Sequence, residues 1–315
     1  MKTVLYYLAV SVLFVLNKLP FCIVYLISDI LYFLVYYLAR YRRRIVRENL
    51  VKSFPEKDIK EIKKIERKFY AALCDYFVEA VKYYGMSEKQ IRKRMVFTGL
   101  EDAYRMLDEG RSCVCYMGHF FNWEYITSLP LHFNLNETVV GDIYHPLENK
   151  RFDKLVKTMR NQYGADSITM ANTLRRIMQL TKENQKFLIG FIADQVPTWE
   201  SINHWLDFLH RDTPVFTGTE KIARRTHAAV FFVRMRRVKR GYYAAHFELF
   251  TEDASKTPEF EPTNKYYEMI EEEIRQFPET WLWTHNRWKR TREGYEERER
   301  RRVEDRKRLV RNIQE

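Results

Sequence analysis

From residue 112 onward, short apolar runs alternate with amphipathic stretches of helical periodicity. Five segments rich in branched and aromatic residues are predicted to be buried strands: Ser112–Met117, Glu137–Val140, Lys186–Ile192, Ala228–Val233 and Tyr242–Phe250. Helical stretches separate several of them: Asn149–Tyr163, Thr173–Glu183 and Thr217–Arg225. This alternation is typical of an α/β fold with a mixed, largely parallel central sheet flanked by helices.

The preceding residues 45–95 are predicted to be helical, since Ile59, Ile62, Ile65 and Phe69 recur at helical spacing. A chain of 315 residues without a Pro/Gly/Ser-rich linker is expected to form one domain over residues 45–315. The tail 295–308 consists almost entirely of Glu, Arg and Lys. It is predicted to be a solvated helix with ion pairs, and a membrane or phosphate contact is the alternative.

Residues 1–44 are predicted to anchor the chain to a membrane. Two apolar runs, 4–16 and 21–39, are each near or below the length that spans a bilayer. One tilted span, a short hairpin, helices lying in one leaflet, and a soluble core helix all remain open. The run of arginines ending at Arg44 predicts that the following residues are cytoplasmic, because positive charge is retained on that side.

The net charge of +12 favours an anionic partner, such as nucleic acid, anionic lipid or an acidic protein. No helix-turn-helix, zinc-finger or RNA-binding signature supports nucleic acid. The four cysteines lack the spacing of a zinc site and are predicted to be buried, reduced thiols. We expect neither a metal nor a cofactor.

The segment Met117–Tyr125, MGHFFNWEY, places a histidine five positions before a glutamate. A regular helix would turn His119 and Glu124 away from each other, so they can meet only if His119 lies in a turn before a helix that begins near Asn122. Gly118 makes such a turn easy. An imidazole held by a carboxylate can take a proton from an alcohol, although a structural histidine remains an even alternative on spacing alone.

Four ordered segments resemble the bacterial lipid A late acyltransferases, a group within the HxxxxD/E glycerolipid acyltransferases. The matching segments are Gly118–Glu124, Ile143–Asn149 leading to Met159–Gly164, Ile192–Gln195, and Pro278–Lys289. Phe121 stands where many members carry Gly, and His145 where Arg is usual. The resemblance implies a glycerolipid-acyltransferase-like fold with an N-terminal hydrophobic membrane helix.

The resemblance also implies roles for six residues. His119 is expected to be the general base and Glu124 its carboxylate partner. Substrate-binding or oxyanion roles are expected for four others: Asn122, Arg160, Asp194 and Gln195. Asp194 follows a predicted strand, and is either a helix cap or a site residue that orients Arg160 or substrate. The tryptophans of the C-terminal segment fit either an interfacial belt or a packed helix end.

The resemblance, together with the apolar N-terminal segment and its arginines, implies an O-acyltransferase of the bacterial inner membrane with its catalytic domain on the cytoplasmic side. The expected donor is an acyl carrier protein thioester, and the expected acceptor is a hydroxyl of a lipid A precursor in lipopolysaccharide biosynthesis. Another glycolipid or aminolipid acceptor, a membrane-anchored hydrolase, and a non-enzymatic basic membrane protein are the alternatives.

Overall fold

The computed structural model describes residues 13–314, with residues 309–314 as helical backbone alone. Most of the first predicted apolar run therefore lies outside the described residues. The helices are α1 Phe21–Phe33, which continues as a π-helical turn Leu34–Leu38, α2 Arg43–Ser53, α3 Ile59–Tyr83, α4 Glu88–Arg94, α5 Glu101–Asp108, α6 Lys150–Arg160, α7 Thr173–Lys182, α8 Gly218–Arg225, α9 Glu261–Gln276 and α10 Arg292–Gln314. The strands are β1 Met95–Thr98, β2 Cys113–Met117, β3 Thr138–Tyr144, β4 Asp166–Thr169, β5 Lys186–Ile192, β6 Trp205–Asp207, β7 Asp212–Pro214, β8 Ala229–Lys239 and β9 Tyr242–Thr251.

Seven strands form the central sheet in the order β1-β9-β8-β2-β5-β3-β4, and a separate small ribbon pairs β6 with β7. All neighbours in the large sheet are parallel except β8 and β9. Every residue of β2 is buried, as expected for a central parallel strand covered on both faces. The predicted mixed, largely parallel sheet flanked by helices is confirmed.

Strand β8 runs farther than its apolar sequence predicts. Beyond Val233 the chain alternates, so that Met235 is buried while Arg234 and Arg236 reach Glu273 on α9. A two-residue turn then leads into β9, and Gly241 takes a φ of 76°, which favours glycine. The expected end at Val233 was therefore too early, because the second half of the strand is covered by charge pairs.

Four strands were not predicted: β6 and β7 of the small ribbon, and β1 and β4 of the central sheet. Strands β1 and β4 have four residues each and lie at opposite edges of the sheet. Edge strands are commonly short and carry polar residues, which leaves little hydrophobic alternation to detect.

The helical interpretation of residues 45–95 is confirmed for the most part by α2, α3 and α4. Helix α3 begins with a capping box formed by Asp58 and Glu61. Its aromatic face packs on the motif from His119 to Glu124, since the ring centroids of Phe69 and Phe121 lie 5.8 Å apart. At the other end of the chain, α10 is a largely exposed helix with an ion pair between Arg301 and Glu297, as predicted.

Within residues 13–314, one helical stretch, Phe21–Leu38, is long and apolar enough to cross a membrane, and most of it is not buried. Length and composition alone are weak evidence for a span. In the C-terminal segment, Trp281 and Trp283 are buried. This excludes the interfacial-belt interpretation for these two tryptophans and supports the packed one.

Candidate active site

The ends of two adjacent parallel strands bring the predicted site residues together. Strands β2 and β5 pair in a register that sets Met117 opposite Ile192. The chain then continues into His119 after β2 and into Asp194 after β5. Ligands commonly bind at the carboxyl ends of the strands in an open α/β sheet. Strand register therefore places the imidazole next to the Asp194 carboxylate.

Asp194 is almost fully buried and accepts three hydrogen bonds. His119 Nδ1 lies 2.6 Å from Oδ1, while the His119 backbone N–H and Trp281 Nε1–H donate to Oδ2 at 2.9 and 2.7 Å. Burial by itself raises the pKa of Asp194, but the charge and hydrogen bonds of His119, together with Trp281, hold that pKa at about 2. The carboxylate is therefore ionised and keeps a proton on His119 Nδ1.

The other nitrogen of the imidazole is then the basic one. Gln195 Nε2 lies 3.2 Å from His119 Nε2, where the amide can donate to the ring lone pair. The His119 side chain is 17% exposed, so a substrate hydroxyl can approach it. A neutral imidazole with Nδ1 held by a carboxylate has the tautomer that a general base requires.

Glu124 makes a different set of contacts. Arg160 donates to both of its carboxylate oxygens, from Nε at 2.8 Å and from Nη2 at 2.7 Å. Tyr76 Oη–H and Trp123 Nε1–H donate at 3.3 and 3.1 Å. Burial opposes ionisation of Glu124, yet Arg160 and these donors hold its pKa below the ordinary value. Glu124 and Arg160 thus form a buried, bidentate ion pair.

The expected pairing of His119 with Glu124 needs correction, because Asp194 occupies the position on Nδ1. Asp194 also does not orient Arg160, as one interpretation of the sequence had it. Glu124 sits in the first turn of a 3₁₀ helix, Trp123–His132, where four donor atoms already engage its carboxylate. The Trp123 indole contacts both side chains. Its Nε1–H donates to Glu124, and its ring centroid lies 5.1 Å from that of His119.

Asn122 lies in the motif, but its side chain is fully buried. Its Oδ1 accepts from the Glu124 backbone N–H at 3.1 Å, and its Nδ2 donates to Glu79 at 3.3 Å. This amide positions the motif, and because it is fully buried it is not accessible to a substrate. The predicted turn before the helix is present, with Asn122 as the capping residue.

Glu79 on α3 was not found from the sequence. Its carboxylate also accepts from Tyr243 Oη–H at 2.7 Å and from Tyr25 Oη–H at 3.0 Å. Burial raises the pKa of Glu79 above its ordinary value. One buried carboxylate thus connects α1, α3, β9 and the motif. Glu79 lies on an amphipathic helix with many charged residues, so nothing in the sequence distinguishes it from the exposed carboxylates of that helix.

The sequence also did not predict that His285 lies near His119 and Asp194. Its Nε2 accepts from the Val196 backbone N–H at 3.3 Å. Burial lowers the pKa of His285 to about 4, so this imidazole is neutral at neutral pH. Only the fold brings the C-terminal segment against the residues after β5.

The low pKa of Asp194 predicts an acid-sensitive contribution to stability. A carboxyl with a folded-state pKa of about 2 and an ordinary value of 3.8 stabilises the folded chain above pH 4 and loses that effect as the pH falls toward 2. We expect Asp194→Asn to remove about 2 kcal/mol of this pH-dependent stability. Urea unfolding of both proteins between pH 2 and 5 measures it. A free-energy difference that does not shrink with falling pH would contradict the assignment.

Comparison with known proteins identifies the family of the chain. Residues 1–290 match the family described as bacterial lipid A biosynthesis acyltransferase. Two similar proteins are the lipid A biosynthesis palmitoleoyltransferase of Escherichia coli (strain K12) and the lipid A biosynthesis acyltransferase of Shigella flexneri. Each is 24% identical over 256 residues, which cover 79% of both chains. The chain belongs to the bacterial lipid A biosynthesis acyltransferase family.

Proposed function

We propose that this protein is a membrane-bound O-acyltransferase that moves a fatty acyl chain from acyl carrier protein to a hydroxyl of a lipid A precursor. The observation that carries the proposal is the orientation of His119. Its Nδ1 is held by the ionised Asp194, and its Nε2 is left as a base beside Gln195. No nucleophilic side chain is required, because the substrate supplies the alcohol.

The reaction needs one proton to move twice. His119 Nε2 takes the proton of the acceptor hydroxyl as its oxygen attacks the thioester carbonyl. The ionised Asp194 stabilises the imidazolium that forms. When the tetrahedral intermediate collapses, the carbon–sulfur bond breaks and the imidazolium returns the proton to the departing thiolate. The products are the acyl ester and the free thiol of the carrier.

Glu124 acts in this proposal through its neighbours. By engaging Nε and Nη2 of Arg160, it fixes the plane of the guanidinium and keeps it charged at the site. A fixed positive charge favours the oxyanion that develops on the thioester oxygen. Trp123, which donates to Glu124 and contacts His119, connects this ion pair to the base.

The net charge of the chain supports the proposed acyl donor, and the nature of the two substrates supports the proposed location. Acyl carrier protein is acidic, and the chain carries a net charge of +12, which favours their encounter. The acceptor is an amphiphile of the inner membrane, and the carrier thioester is cytoplasmic. We therefore place the catalytic domain at the cytoplasmic face of the bacterial inner membrane.

The test is a mass-spectrometric assay of purified protein with acyl carrier protein thioester and a tetra-acylated lipid A precursor. We expect a mass increase of one acyl chain, absent with His119→Ala. Mild alkali should remove the new chain if it is an ester, whereas an amide would survive and indicate an amine acceptor. A parallel reaction with acyl coenzyme A tests the donor. Free fatty acid without acylated lipid would overturn the proposal in favour of a hydrolase.

A further inference from the structure

The outward face of the first described apolar helix is an exposed apolar stripe. Seven large apolar residues of α1 and its π-helical turn are exposed: Ile23, Leu26, Ile30, Phe33, Leu34, Tyr37 and Leu38. Their spacing of three, four and seven residues places them on one side of the helix. A contiguous apolar surface of this kind marks an interaction site.

The opposite face of α1 is docked on the domain by polar contacts. Tyr25 Oη–H donates to Glu79 at 3.0 Å, and Ser28 Oγ–H donates to Asp75 at 2.7 Å. Asp29 pairs with Arg240 of the β8–β9 turn at 2.6 Å. The helix thus has a docked face that carries a few hydrogen-bonded polar groups and an apolar face that is turned outward.

Docking extends along the whole helix. At one end, Lys82 Nζ donates to the Leu19 carbonyl at 2.8 Å, and at the other the rings of Tyr36 and Tyr70 lie 5.3 Å apart. Lys82 and Tyr70 both belong to α3, so α1 lies alongside α3 from end to end. The helix cannot leave the domain without breaking these contacts.

A transmembrane orientation conflicts with this docking. The stretch Phe21–Leu38 has 18 residues and is about 27 Å long, close to the thickness of the hydrocarbon core. Asp29 lies near its middle, and 62% of the Asp29 side chain is exposed. Crossing the bilayer would place the Asp29–Arg240 pair in the hydrocarbon, which is costly. It would also draw the charged flank of α3 into the lipid.

The basic residues that follow the helix indicate what covers the stripe. Arg40, Arg42 and Arg44 are exposed directly after the π-helical turn. A surface groove of about 600 Å³ is lined by four arginines and one glutamate: Arg40, Arg43, Arg44, Arg47 and Glu48. Positive charge next to an apolar stripe complements the phosphates and acyl chains of an anionic leaflet.

We propose that α1 does not span the membrane but lies in the plane of one anionic leaflet. Its apolar stripe enters the upper acyl region, and the arginines after Leu38 contact the lipid phosphates. The docked face of the same helix connects to the active site, since Tyr25 of the helix and Asn122 of the motif both donate to Glu79.

Depth-dependent fluorescence quenching separates the two orientations. In the full chain with Cys22→Ser, the exposed cysteine is removed, and Cys74, Cys113 and Cys115 are buried. Single cysteines at Ile23, Ile30 or Leu38 are labelled with an environment-sensitive fluorophore and mixed with vesicles of phosphatidylcholine and phosphatidylglycerol. Nitroxide lipids labelled at a shallow or a deep acyl carbon then quench the fluorophore. The same label at Val303 on the charged helix α10 is the water-exposed control.

For an in-plane helix, the ratio of shallow to deep quenching is the same at all three positions. A ratio that favours the deep quencher at Ile30 and the shallow one at Ile23 and Leu38 would overturn the proposal in favour of a span. Labels that neither lipid quenches would indicate that a second copy of the chain covers the stripe, which overturns it as well.

A second measurement tests the arginines without disturbing the helix. We expect Arg40→Gln with Arg44→Gln to weaken binding to anionic vesicles by on the order of tenfold. Binding to purely zwitterionic vesicles should be weaker and unchanged by the two substitutions. Equal binding of wild type and variant to anionic vesicles would exclude the phosphate contact.

Discussion

His119→Ala is expected to lower the acyl-transfer rate by about three orders of magnitude, because the substitution removes the proposed base for the acceptor proton. The fold should persist, since the His119 side chain lies at the end of β2 and Asp194 keeps the hydrogen bonds from the backbone N–H of residue 119 and from Trp281. The measurement is the initial rate of lipid acylation, with circular dichroism as the control for folding. A rate within tenfold of wild type would mean that another group acts as the base.

The matched variant Asp194→Asn identifies the partner of that base. An amide on Nδ1 no longer favours the tautomer with a basic Nε2, and it does not stabilise the imidazolium, so the rate should fall by on the order of 10³-fold. Trp281→Phe removes one hydrogen bond to Asp194 and should cost far less. If Asp194→Asn kept most of the activity while Glu124→Gln lost it, Glu124 would be the functional partner despite the geometry.

Arg160→Met is expected to destabilise the folded chain by about 3–5 kcal/mol, because it leaves the Glu124 carboxylate buried without its cation. Glu124 is 3% exposed, and the remaining donors to its carboxylate are Tyr76 and Trp123. The measurement is the free energy of unfolding in urea at neutral pH. The large loss of stability arises because the Glu124 carboxylate stays buried without Arg160. It does not measure the net contribution of the Glu124–Arg160 ion pair.

The double variant Arg160→Met with Glu124→Gln provides the control. Removing both charges leaves no unpaired ion, so the double variant should be more stable than Arg160→Met alone. It should nevertheless be slow in acyl transfer, which separates stability from activity. A double variant no more stable than the single one would show that the cost of Arg160→Met has a cause other than the isolated carboxylate.

Docking of α1 on the domain affects how the losses of acyl-transfer rate and of stability in these variants are interpreted. Because Glu79 connects Tyr25 to the motif residue Asn122, a variant that undocks α1 can alter the site without touching substrate. Vesicle binding of each catalytic variant therefore belongs with its kinetics. A variant that binds vesicles like wild type and fails in catalysis has lost chemistry alone.

The sequence alone determined the fold class and the position of His119, the proposed base. Apolar runs of strand length, separated by helical periodicity, predict the parallel sheet, because each pattern reports local burial. The same patterns place His119 and Asp194 directly after buried strands, and the resemblance to a known family covers both. The strand and helix patterns, and the positions of His119 and Asp194 after two strands, depend on residues that are close in the chain. They can therefore be predicted without knowing the strand order.

Only the tertiary structure decided which groups meet. His119 pairs with Asp194 and not with Glu124 because β2 and β5 are adjacent and in a register that sets their ends together. The same holds for Trp281, which is buried against Asp194, and for α1, whose polar face is satisfied by α3 and the β8–β9 turn. Hydrogen-bond partners far apart in the chain are selected by packing, and sequence spacing carries no record of that choice.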